Sequence, residues 1–272
     1  LTGSDPSSFG SEGFKVLVAC VILVAAAALV IFPLMKIVRF VRTICRVFSG
    51  PRCDSHSKLT DEQLRVLTIG NLYVYQQGGW LNSLYLHIDT SRFNNIMHEW
   101  WGIYSQADAI STLQYLLQGT FSITFEDVCN AYALHDSAKA ASYLKQHIDD
   151  EDLRERATHQ LENLNECYND LVRDGIVQDE ASMRKLGVMG WDAGRLNFVA
   201  RTCYCAGYIE EPELWQLLQR AYDMAHSELH SWRELANSYM LGRTLWGGNC
   251  DMTGLAEDLL TKPASPWTRL PW

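Results

Sequence analysis

Gly190-Trp191-Asp192-Ala193-Gly194-Arg195 opens the stretch on which the fold depends, and that stretch runs on to Trp246. Within it lie Gly207-Tyr208-Ile209, Glu213-Leu214-Trp215, Ser231-Trp232-Arg233-Glu234, Tyr239 and Gly242-Arg243. The spacing predicts three helices joined by short turns. Trp191 and Arg195 stand one helical turn apart on one face, and Asp192 is three residues from Arg195, a pairing distance. Small residues at 190, 193 and 194 leave room for another helix to approach closely. Gly207 falls where the first helix must end, because a left-handed backbone costs glycine little. Glu211-Pro212 opens the second helix, with proline tolerated in the first turn and acids favoured by the helix dipole. Ser231-x-x-Glu234 reads as a capping box at the head of the third.

The same signals recur upstream. Thr60-Asp61-Glu62-Gln63 is a capping box, and its helix carries Leu64, Leu67, Leu72 and Tyr75 before stopping at Gly78-Gly79. Trp80 to Ile88 is an apolar connector without a clear period. Ser91 is expected to cap a helix leading to Trp100-Trp101-Gly102-Ile103. Ser105 with Asp108 starts another, whose stripe of Ala109, Leu113, Leu116 and Leu117 ends at Gly119. Thr124 with Asp127 predicts a helix through His135, and further helices are expected over Ser137–His147, Asp152–Arg173 and Glu180–Leu186. The charge along Asp152–Arg173 reads as a solvated face. Nothing alternates with strand period for long, so the class is all-α.

Val16 to Met35 carries no charge over twenty residues, which as a helix spans roughly 30 Å, the thickness of a bilayer's hydrocarbon core. Bases follow it at Lys36, Arg39, Arg42, Arg46 and Arg52, whereas only Lys15 precedes it closely. A signal peptide has its bases in front, so the run reads as a retained anchor with its short N-terminus outside. Lys36, Arg39, Arg42 and Arg46, with Ile37, Phe40, Val41 and Ile44 between them, suit a helix lying along anionic lipid. The expected layout is an external tail over 1–15 and a single transmembrane helix over 16–35. A basic juxtamembrane helix and linker follow over 36–58, then a cytoplasmic multi-helix globular domain over 59–272.

Net charge is −9, yet removing the six bases and two acids before Cys53 leaves 17 basic and 30 acidic side chains in residues 53–272. A domain that acidic is a poor partner for nucleic acid. The eight cysteines form no Cys-x-x-Cys pair and no disulfide framework, as expected of reduced thiols in a cytosolic domain.

Trp101-Gly102-Ile103, the Ala109–Leu117 stripe and the Gly190–Trp246 motifs together resemble the bacterial helical family known as domain of unknown function 1266. The resemblance covers about residues 95–247. It implies a bacterial source and an α-helical fold; taken with the expected anchor, a bacterial source makes the inner membrane the expected location. It brings no activity, cofactor or catalytic residue, and the anchor stands as an addition to it.

The candidate polar cluster is Trp191, Asp192, Arg195, Trp232, Glu234 and Arg243. Arg195, paired with Asp192 or Glu234, offers a guanidinium fork for a carboxylate or phosphate. The competing reading is a buried ion pair that fixes helix register. Trp100, Trp101, Trp191, Trp215, Trp232 and Trp246 either stack on a ligand or fill the core. His226-x-x-x-His230 has the spacing of two zinc ligands, but Ser227 stands where the catalytic zinc motif carries its glutamate, and a solvated helix end is the simpler reading. No phosphate loop, nucleophile elbow or paired-acid spacing is present. The sequence thus predicts a membrane-anchored interaction or regulatory module with a protein partner and no cofactor. The alternative is an enzyme with its site around Asp192, Arg195 and Glu234.

Overall fold

The computed structural model describes residues 50–272, and those residues are helical, with one isolated parallel bridge between Arg52 and Trp80. The expected external tail, anchor and basic helix, including Lys36, Arg39, Arg42 and Arg46, lie outside the described residues. Among the described residues no helix is long and apolar enough to cross a membrane.

Helices α1 (Asp61–Leu67), α2 (Asn71–Gln77), α3 (Thr90–Asn94) and α4 (Gln106–Leu117) come first in the chain. They are followed by α5 (Phe125–Tyr132), α6 (Ser137–His147), α7 (Glu151–Arg173) and α8 (Glu180–Leu186). The chain closes with α9 (Met189–Cys205), α10 (Glu211–Glu228), α11 (Trp232–Gly247) and α12 (Thr253–Thr261). Tight 3₁₀ turns at Thr68–Gly70, Ser122–Thr124 and Pro266–Thr268, and a π-helical turn at Asn95–Trp100, complete the inventory.

At the centre is α9. Every residue from Gly190 to Cys203 is buried, and the helix packs against α10, α11, α4, α2 and the Thr68–Gly70 turn. A helix buried on all sides is usually apolar all round. This one also buries Asp192, Arg195, Asn197, Arg201 and Thr202, so each needs a partner inside the protein. Thr202 bonds back to the Phe198 carbonyl at 2.7 Å, and Asn197 donates to the Val66 carbonyl at 3.0 Å. Arg201 donates to the carbonyls of Trp80 and Ser83. That is what organises the Trp80–Ile88 connector, whose order comes from a distant arginine rather than from a period of its own.

Glycine sets how closely α11 crosses α9. A Cβ on Gly190 would lie 2.8 Å from the Leu235 carbonyl oxygen, and one on Gly194 would lie 2.7 Å from the Tyr239 ring. A Cβ on Gly242 would overlap Trp191.

Most predicted caps are in place: Thr60 and Gln63 form the full capping box, Ser105 accepts from the Asp108 amide, and Gly207 ends α9 at φ 74°. Several differ. Asp89, not Ser91, caps α3. Thr124 caps nothing; its hydroxyl donates to buried Gln160 at 2.9 Å, and α5 stops at Tyr132. The expected linker is bound to the domain from Arg52 onward. The Leu81 amide donates to the Arg52 carbonyl at 2.9 Å, and Asn82 brackets Asp54 with bonds of 2.6 and 2.8 Å.

Candidate functional site

Trp191 and Arg195 on α9, Tyr239, Arg243 and Trp246 on α11, and Tyr73 and Gln76 on α2 surround a cavity of about 500 Å³. Glu99, Trp100 and Trp101, from the π-helical turn and its end, form the remaining wall. The stripe Tyr239, Arg243, Trp246 follows i, i+4, i+7, so one face of α11 supplies three lining side chains.

The walls are packed aromatic surfaces. Trp191 meets Tyr239 edge-on at 5.0 Å and lies 6.0 Å from the Trp246 ring. Tyr73 stacks on Phe198 at 3.9 Å, and its hydroxyl accepts from the Trp101 indole at 3.4 Å. Two guanidinium groups lie over these faces. Arg195 is 4.9 Å from the Trp191 ring centre and Arg243 is 5.1 Å from that of Trp246. At the rim Trp100 and Trp246 are half exposed, at 50% and 54%.

Asp192 stands behind this wall, fully buried. Its carboxylate accepts from the Phe121 amide, from the Ser122 amide and hydroxyl at 2.9 Å each, and from Arg195. One side chain thereby holds both the turn after Gly119 and the guanidinium. Those bonds occupy the Asp192 carboxylate with donors from the chain itself.

Four buried polar atoms of the lining residues have no partner: Trp191 Nε1, Arg195 Nε, Tyr239 Oη and Arg243 Nη1. Buried polar groups in proteins are nearly always bonded; of the twelve unpartnered atoms among the described residues, four are gathered on the walls of this one cavity. Arg243 forms no ion pair among the described residues. Burial pushes the Tyr239 hydroxyl well above its ordinary pKa, and the Tyr73 hydroxyl upward too, so both stay protonated donors at neutral pH. A groove between α5, α6 and α7 is slightly larger, about 540 Å³, but no lining residue there has an unpartnered buried polar atom.

The remaining candidates fall elsewhere. Trp232 packs on Trp267 and donates its indole N–H to the Leu270 carbonyl at 2.8 Å. Glu234 receives the His230 amide at 2.7 Å, while Ser231 caps α11. Both sit at the opposite end of α11 from Arg243, about 16 Å along the axis for Trp232 and about 14 Å for Glu234 at the rise per residue of an α-helix. The proposed Arg195–Glu234 pairing is therefore corrected: Asp192 is the carboxylate that Arg195 uses. The histidine pair is corrected as well. Helix α10 ends at Glu228 and Leu229 is extended, so His230 does not share a face with His226. His226 is sandwiched between Tyr222 and Trp272 at 3.7 and 4.0 Å, and no group of three metal-ligating side chains occurs among the described residues.

Tyr73, Gln76 and Glu99 were not legible as site residues, because they lie before the motif-rich stretch. Tyr239 and Trp246 were within it, and their spacing with Arg243 was the available signal.

Residues 96–272 match the family described as "Protein of unknown function (DUF1266)". The match reaches the C-terminal Trp272, well past residue 247, and it includes α9, α11 and all but the first residue of the π-helical turn. Tyr73 and Gln76 come from the segment before it. No curated protein and no solved structure matches the chain.

Proposed function

The chain belongs to this DUF1266 family, and from that premise we propose a binding and regulatory domain that takes a small organic ligand in the aromatic cavity between α9 and α11. The observation that carries the reading is the set of four unpartnered buried polar atoms on the cavity's own side chains. A cavity of about 500 Å³ is within the range of roughly 300–1,000 Å³ usual for small-molecule sites. Binding is favoured over chemistry by the state of the acids. Asp192 is saturated with donors and Glu234 is bonded at the far end of α11. Among the described residues lining the cavity, Glu99 is the single carboxylate, and there is no thiol, imidazole or aliphatic hydroxyl.

The uncharged run Val16–Met35 and the bases after it support carriage of this domain on the cytoplasmic face of a bacterial inner membrane, where a protein partner would read its ligand state. The test is a thermal-melting screen of the full chain against small organic compounds of all charges. A ligand at a hundred times its Kd adds about 2.7 kcal/mol, a rise of roughly 5–10 °C for a domain of this size. Gln76→Trp fills the cavity from a half-buried position and should abolish the shift while leaving the helical circular dichroism intact. A screen without hits, or hits that stabilise Gln76→Trp equally, overturns the proposal.

A further inference from the structure

We propose that the ligand is a planar aromatic monocarboxylate, with its ring among Trp100, Trp191 and Trp246 and its carboxylate on Arg243. This rests on the cavity being a ligand site and adds the chemical class. Trp191 Nε1, Arg195 Nε and Arg243 Nη1 can only donate hydrogen bonds, and none has a partner. Tyr239 Oη, the fourth, is a phenol that can donate as well. A water molecule has two lone pairs to offer such a set, whereas a carboxylate presents about four acceptor sites on two oxygens. What these buried donors lack is an acceptor, since the one lining carboxylate, Glu99, is exposed at the rim.

Charge narrows the class further. Asp192 already neutralises Arg195, which leaves Arg243 as the unpaired cation on a partly buried wall. One net positive charge suits one carboxylate better than a dianion. Glu99, on the same wall, is exposed at the rim, where water screens its charge. The body of the ligand is set by the walls: the Trp246 ring lies 6.0 Å from Trp191 and Trp100 is half exposed beside them. Large aromatic faces of this kind favour offset or edge-on packing with another ring.

The experiment titrates the full chain with four probes that share one ring system, followed by tryptophan fluorescence. They are 2-naphthoate, 2-naphthalenemethanol, 2-naphthylmethylammonium and 2-naphthyl phosphate. The expected result is that 2-naphthoate binds about 10- to 100-fold tighter than the alcohol, the span of a charge-assisted hydrogen bond. Arg243→Gln should erase that preference without loss of fold, and Trp246→Leu should weaken acid and alcohol alike. Equal binding of all four probes overturns the carboxylate assignment while leaving the cavity as a ligand site. Preference for the ammonium or the phosphate overturns it in favour of Glu99 or of a dianion. Failure of every probe, with other compounds still raising the melting temperature, overturns the aromatic class alone.

Discussion

Asp192 and Arg195 are joined by a buried ion pair, but the two partners are not equally dependent on it. If Arg195 is removed, Asp192 keeps three donors, from Phe121 and from the amide and hydroxyl of Ser122. If Asp192 is removed, two backbone amides and a buried guanidinium lose their acceptor together. Breaking a buried pair from one side costs about 3–5 kcal/mol, and each orphaned buried group adds about 1–3 kcal/mol. Asp192→Ala should therefore destabilise by about 4 kcal/mol or more and Arg195→Ala by about 2–3 kcal/mol. Urea unfolding of both single variants and the double variant measures this, the double variant isolating the coupling. An Arg195→Ala cost above that of Asp192→Ala would mean that the guanidinium, not the carboxylate, is the fixed point of the site.

Between elements, the decisive quantity is the distance between α9 and α11. Gly242 leaves the space that Trp191 occupies, and an added methyl there cannot be absorbed by a flexible chain end, since the overlap begins at the Trp191 Cβ. Gly242→Ala should cost about 1–3 kcal/mol, the usual range for overpacking, and should also distort the cavity wall. Gly254, in α12, has open space around its missing Cβ. Gly254→Ala should be neutral or stabilise by up to about 1 kcal/mol, and thermal melting of the two variants side by side separates packing from backbone entropy. This crossing was legible in the sequence as small residues at 190, 193 and 194, but the part of Gly242 in it was not. Also legible were α9, α10 and α11 and the caps at Thr60, Ser105 and Ser231, because a cap is a local bond between residues three apart, whereas α12 and the caps at Asp136, Asp150 and Asp179 were not read. The π-helical turn at Asn95–Trp100, the diverted hydroxyl of Thr124 and the connector held by Arg201 were not legible. The last two depend on partners far away in sequence, such as Gln160 for Thr124, and periodicity carries no trace of them. The candidate cluster was half legible for the same reason: sequence proximity on α11 joined Trp232 and Glu234 to Arg243, although a helix separates its two ends.

For the whole molecule, charge is the organising fact. Residues 53–272 carry 17 bases and 30 acids, whereas residues 36–52 carry five bases and no acid. Anionic lipid repels the first part and attracts the second, with each base near the surface contributing about 1 kcal/mol. That polarity leaves the cavity domain with no electrostatic reason of its own to lie on the bilayer, so the proposed attachment rests on the uncharged run Val16–Met35 alone. If it does, the full chain stays with the membrane pellet after alkaline carbonate extraction, which strips proteins held by charge alone. A fragment beginning at Gly50 should stay in the supernatant even with acidic vesicles present, and should keep the helical content and the cavity, because the bonds from Arg52 and Asp54 to the Trp80–Asn82 turn remain intact. Orientation follows from the bases after the run: protease should digest the domain in inverted vesicles and spare it in intact spheroplasts. Release of the full chain by carbonate would sink the anchor. Digestion in spheroplasts alone would reverse the topology and place the cavity outside the cell.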